Sequence, residues 1–123
     1  MNDLNKYAAS LVNMANWDKT TVIRTYYILK PHVVEKKLQK LAARKNVDRI
    51  FASLEPDHEK LNHLHLALAG RNITKRQISN SMRVEEKHIL NIEKIRDKKQ
   101  CLQYVSKHLI REQRYIDAYH TIY

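Results

Sequence analysis

The chain has 123 residues, 43% of them hydrophobic and 29% charged, the balance of one globular domain able to bury its own core. Its 23 Lys and Arg against 13 Asp and Glu leave a net charge of +10, which favours a polyanionic partner. A single cysteine, Cys101, excludes an internal disulfide framework and suits a reducing compartment. No apolar run reaches the length that spans a bilayer, and no signal-peptide pattern opens the chain. A cytoplasmic setting is therefore expected. Nucleic acid is preferred to a membrane surface, because no strongly amphipathic basic helix with large apolar anchors is found.

Residues 1–18 place Leu4, Tyr7, Ala8 and Leu11 at helical spacing behind Asn2 or Asp3 as a cap, predicting an N-terminal helix packed on the body. Thr20 to Leu29 is dense in β-branched and aromatic residues and runs up to Pro31, which reads as a strand. Val34, Leu38, Leu41 and Ala42 predict an amphipathic helix over 33–45 with lysine stems on its outer side. Val47 to Leu54 alternates: Ile50, Ala52 and Leu54 share one face, and Phe51, Ser53 and Glu55 the other. After a polar loop comes His63-Leu64-His65-Leu66-Ala67-Leu68, again at period two. Its leucines point to a core and its two imidazoles project together from the opposite face. The two strands are expected to form an antiparallel hairpin.

Gly70, the only glycine, closes that strand. Thr74 with Gln77 predicts a capping box and a short helix to Ser81. His88 to Ile95 alternates as a fourth strand with apolar residues on both sides. Asp97 with Gln100 predicts a second capping box and a helix to about Arg111. The tail from Gln113 spaces Tyr115, Ile116, Tyr119, Ile122 and Tyr123 helically, suggesting a terminal helix or an interface. One α+β domain follows: an antiparallel sheet with the order βαββαβ, two helices on one face, and a further C-terminal helix. That is a ferredoxin-like or RRM-like arrangement.

Two groups could do chemistry. In an antiparallel hairpin Glu55 lies near His63 and His65, giving two imidazoles and one carboxylate. Such mixed N/O ligation suits Mn²⁺ or Mg²⁺ and would also accept Zn²⁺. The alternative is polar residues on the wet face of a sheet. Tyr104 and Lys107 are three apart, on one side of their predicted helix. A phenol is a weak nucleophile at neutral pH. A metal polarising a phosphate, with a lysine countering charge, would ease its attack. His32, His58, His88, His108 and His120 show no comparable partner spacing.

From Thr20 to about Leu109 the order of these motifs resembles the nicking domain of HUH endonucleases, specifically the rolling-circle replication initiators of small plasmids and viruses. Thr25-Tyr26-Tyr27 is similar to the first motif of that family, His63-Leu64-His65 to its metal motif, and Tyr104-Val105-Ser106-Lys107 to its catalytic Tyr-x-x-Lys. Glu55 is placed like the additional acidic ligand. The resemblance implies a divalent metal, Mn²⁺ or Mg²⁺, on His63, His65 and Glu55. It also implies attack by Tyr104 on single-stranded DNA at a replication origin, with Lys107 balancing charge. A polymerase of the host cell would extend the freed 3′ end. The chain has no room for the helicase domain of larger initiators, so unwinding would fall to a separate helicase. With one tyrosine in the pattern, a second cleavage would need another subunit or a reset, which makes a homodimer plausible, with the tyrosine-rich tail as a candidate contact. Two other readings compete. Single-tyrosine transposases also carry His-x-His but place a glutamine where Lys107 stands. A non-catalytic RRM-like nucleic-acid-binding module would stack bases on Phe51, Tyr26 or Tyr27.

Overall fold

The computed structural model describes residues 10, 12–56, 61–97 and 119–122. Among the described residues the main elements follow in the order β1 (Trp17–Arg24), α1 (Pro31–Ala42), β2 (Val47–Pro56), β3 (Asn62–Gly70), α2 (Lys75–Met82), β4 (Glu93–Lys94) and β5 (Tyr119–Ile122). A single 3-10 turn, Glu86–His88, precedes β4. The strands form one sheet in the order β4-β1-β3-β2-β5, every neighbouring pair antiparallel. The first four positions are the order that βαββαβ connectivity produces, so the α+β, ferredoxin-like expectation holds. β5 extends the sheet beyond β2.

The helix-facing side of the sheet is leucine-rich. Ile23, Ile50, Ala52, Leu54, Leu64, Leu66 and Leu68 pack with Val34, Leu38 and Leu41 of α1 and Ile78 and Met82 of α2 in one cluster. Pro31 sits at the first turn of α1, where its fixed φ suits a helix start and its missing N–H costs nothing. Thr74 caps α2 as expected: its hydroxyl accepts from Gln77 N at 3.2 Å, and Gln77 Oε1 accepts from Thr74 N at 3.2 Å. Arg83 ends that helix in the left-handed region.

The opposite face is covered over part of its length. Trp17, Phe51, Ala67, Ala69 and Ile95 form a second buried cluster against which Val12 and Ala15 pack. Phe51 is fully buried, so it is a core residue and offers no platform for a base. Bulges in β1 between Trp17 and Lys19, and in β2 between Val47 and Arg49, shift the register there. Each inserts one residue, so side chains on its two sides change face parity. Trp17 thereby joins the second cluster while Ile23, six residues on, lies in the first.

Three expected elements differ. The first strand ends at Arg24 and is followed by a loop through Lys30. The segment from His88 to Ile95 is not a continuous strand: Ile89 makes an isolated bridge with Ile23, and only Glu93 and Lys94 pair with β1. Ile89 is buried in the first cluster and Ile95 in the second. In an unbroken strand, residues six apart would share one face, so the chain turns between them. In the tail, Tyr119–Ile122 is a strand paired with β2 instead of a helix. Tyr, Thr and Ile all suit a pleated edge, and β2 offers an unpaired edge to complete. The predicted Asp97–Arg111 helix, with Tyr104 and Lys107, lies outside the described residues beyond Asp97. So does most of the expected N-terminal helix, of which residues 10 and 12–14 are described and helical.

Candidate metal centre

β3 is the central strand, hydrogen-bonded to β1 on one side and β2 on the other. Leu64, Leu66 and Leu68 are each fully buried on the helix side. A one-residue slip would drive all three out of the core, so the register is strongly fixed. That same constraint holds His63 and His65 on the other face. The pairing sets Glu55 opposite His63 and Ser53 opposite His65. Residues directly opposite on an antiparallel pair stand side by side on one face, so the hairpin itself assembles the group.

Glu55 Oε2 lies 3.4 Å from His63 Nε2 and 3.9 Å from His65 Nε2. Both separations exceed a good hydrogen bond. Two donor atoms sharing one ion at about 2.0–2.2 Å each are up to about 4.4 Å apart, and both observed distances fall inside that limit. One ligand atom from each of the three residues lies within 4.8 Å of the others, so closing around an ion needs only a small torsional adjustment. The imidazoles tilt at 47° with their centroids 4.8 Å apart. Glu55 is 2% exposed and His65 7%. A cation seated here would offset the cost of burying the carboxylate's charge. This group can hold a metal ion.

Ser53 completes the arrangement. Its hydroxyl donates to Glu55 Oε1 at 3.0 Å and is fully buried. That bond occupies one carboxylate oxygen and leaves Oε2 aimed between the imidazoles, the ordinary way an outer residue orients a ligand. Sequence parity put Ser53 on this face, but nothing in the pattern distinguished it from a spacer. His63 Nδ1 is buried and has no hydrogen-bond partner among the described residues.

No known protein family, curated protein or solved structure matches the chain. The site therefore has to be read from its own chemistry. Of the residues expected at it, His63, His65 and Glu55 are brought together. Tyr104 and Lys107 fall outside the described residues. His88, given no role from sequence, is 8% exposed and leaves both ring nitrogens without a hydrogen bond among the described residues. Arg24 stands opposite His63 on β1, on the same face as the metal group. Neither its charge nor its spacing marked it in the sequence. Among the described residues no helix is long and apolar enough to cross a membrane.

Proposed function

We propose that this protein is a metal-dependent endonuclease that nicks and rejoins single-stranded DNA through a covalent tyrosine link, as the HUH initiators of rolling-circle replication do. The observation that carries the reading is the buried Glu55–His63–His65 group, two imidazoles and one carboxylate set by strand register on one face of the sheet. The net charge of +10 and the Tyr104-x-x-Lys107 spacing support it. Imidazole with carboxylate is a mixed N/O donor set for a divalent ion, and Mn²⁺ or Mg²⁺ is the ion proposed in this role.

The bound ion supplies Lewis acidity toward a phosphate oxygen. The chain supplies the rest. Ser53 keeps Glu55 in position, and the fixed register of β3 keeps the two imidazoles beside it, so little reorganisation is needed when substrate arrives. Tyr104 provides the nucleophile. Its phenolic oxygen gives up a proton and bonds to the phosphorus as the bond to the 3′ oxygen breaks. That oxygen takes a proton and leaves as a free 3′-hydroxyl, while the 5′-phosphate stays on the tyrosine. Reversal by a 3′-hydroxyl rejoins strands, so the phosphodiester energy is conserved without ATP. Lys107 balances charge beside the phenolate. The DNA is an origin sequence, a polymerase extends the freed 3′ end, and a helicase unwinds ahead of it.

A nicking assay on labelled single-stranded oligonucleotides with Mn²⁺ tests this. Wild type is expected to form a covalent protein–DNA adduct that is lost on chelation, in Tyr104→Phe and in His63→Ala. Adduct persisting in Tyr104→Phe would move the nucleophile elsewhere. Tight binding with no cleavage of any strand would favour the non-catalytic module.

A further inference from the structure

The end of β1 carries a feature that the metal group does not explain. Tyr26, Tyr27 and Ile28 follow one another in the loop after β1 and are 79%, 49% and 56% exposed. The loop is held on both sides. Thr25 Oγ1 donates to Tyr27 O at 2.6 Å, and the Asn62 side chain makes both backbone hydrogen bonds of Leu29 at 2.8 Å. Thr25 and Leu29, which bracket the three, are buried. Contiguous bulky side chains displayed on a fixed backbone mark an interaction surface.

Tyr26 meets the buried His88 ring edge-on, centroids 4.9 Å apart at 89°. His88 props the phenol while most of it stays open to solvent. Lys87 Nζ stands 5.8 Å from the Tyr26 centroid and pairs with Glu85 at 3.0 Å. The bridge between Ile23 and Ile89 brings His88 level with Arg24, and the ladder sets Arg24 opposite His63 and His63 opposite Glu55. The path from Tyr26 to the metal group therefore runs across Arg24. That residue is exposed and has no carboxylate partner among the described residues.

We propose that Arg24 and Tyr26 form a strand-binding surface beside the metal group, Arg24 taking a phosphate oxygen of single-stranded DNA and Tyr26 stacking a neighbouring base. The inference rests on the single-stranded DNA reading above. A guanidinium fork matches phosphate oxygens bidentately. An open aromatic face accepts any base, as in single-strand-binding grooves. Cationic groups near the ring in chain and ladder, Lys87 at 5.8 Å from its centroid and Arg24 two residues before it, suit a polyanion better than an apolar peptide.

Fluorescence anisotropy with a short labelled mixed-sequence oligonucleotide, in chelator so that no cleavage occurs, tests it beside an abasic strand of equal length. Tyr26→Ala is expected to weaken binding about 5- to 150-fold and to abolish the preference for the base-bearing strand, while Tyr26→Phe restores both. Arg24→Gln is expected to weaken both strands alike and to reduce the slope of log affinity against log salt by about one, with Arg24→Lys restoring the slope. Wild-type binding in Tyr26→Ala and Arg24→Gln, by a protein that still nicks DNA in Mn²⁺, would overturn this surface and leave the nuclease reading intact. Wild type that neither binds nor nicks single-stranded DNA would remove both. Normal oligonucleotide binding by Tyr26→Ala, with binding to phosphatidylserine vesicles lost, would assign the patch to a membrane instead.

Discussion

Ser53 touches no substrate in the proposed reaction, yet it decides how Glu55 presents itself. Ser53→Ala is expected to leave the fold intact, since only a hydroxyl is lost, and to weaken Mn²⁺ binding by about 10- to 100-fold. Isothermal titration with Mn²⁺ reads this directly, and an unchanged affinity would mean that strand register alone positions the carboxylate. Glu55→Gln should cost more, because the amide gives up the negative charge that a cation recognises. Binding should also weaken as pH falls. The ion requires neutral imidazoles and an ionised carboxylate, so protons compete with it for all three donors. Titration at two pH values, with fewer protons released at the higher one, checks the sign.

At the scale of elements, the central hairpin was the most legible part of the chain. Alternation in Ile50–Leu54 and His63–Leu68 matches both faces, and the antiparallel pairing that joins Glu55 to His63 follows from them. The Thr74–Gln77 box was equally plain, because its two hydrogen bonds are local; Thr74→Ala should lower stability by about 1 kcal/mol in a denaturant titration. What the sequence hid is where alternation is interrupted. The bulges near Asp18 and Asp48 invert parity without a glycine or proline to announce them. The break between Ile89 and Ile95 leaves a pattern that still alternates on paper. In the tail, Tyr115, Ile116, Tyr119 and Ile122 fit a helical period or an interface, yet the edge of β2 recruits Tyr119–Ile122 as a strand. That partner is more than sixty residues away, and no local pattern encodes it. Arg24 is a similar case: only the ladder puts it opposite His63. No local pattern marks Asn62 either, yet its side chain fastens Leu29. Asn62→Ala should cost about 1–3 kcal/mol and shorten hydrogen-exchange protection around Leu29, with little effect at α2.

For the whole molecule, one leucine-rich layer under the sheet carries most of the stability. Leu66→Ala, at the centre of that layer and fully buried, should cost roughly 2–5 kcal/mol. Gly70 is constrained differently: an added Cβ would run into the backbone carbonyl of Asn46, just before β2. Gly70→Ala should therefore be destabilising by roughly 1–3 kcal/mol, visible as a lower melting temperature with the far-UV spectrum retained. The positive charge has a global role of its own. It draws nucleic acid to the molecule without selecting a sequence, so overall DNA affinity should drop steeply with salt.

The Glu55 carboxylate, sunk between interior strands, also ties the lifetime of the protein to its ion supply. An ion that binds the folded chain and not the unfolded one stabilises it by about 2.7 kcal/mol at a hundredfold excess over its dissociation constant, on the order of 10 °C in melting temperature for a domain this size. Starved of metal, the chain would open more often and be cut sooner by proteases. Abundance in a cell would then follow metal availability even where no DNA is being processed, and limited proteolysis with and without chelator would display that dependence.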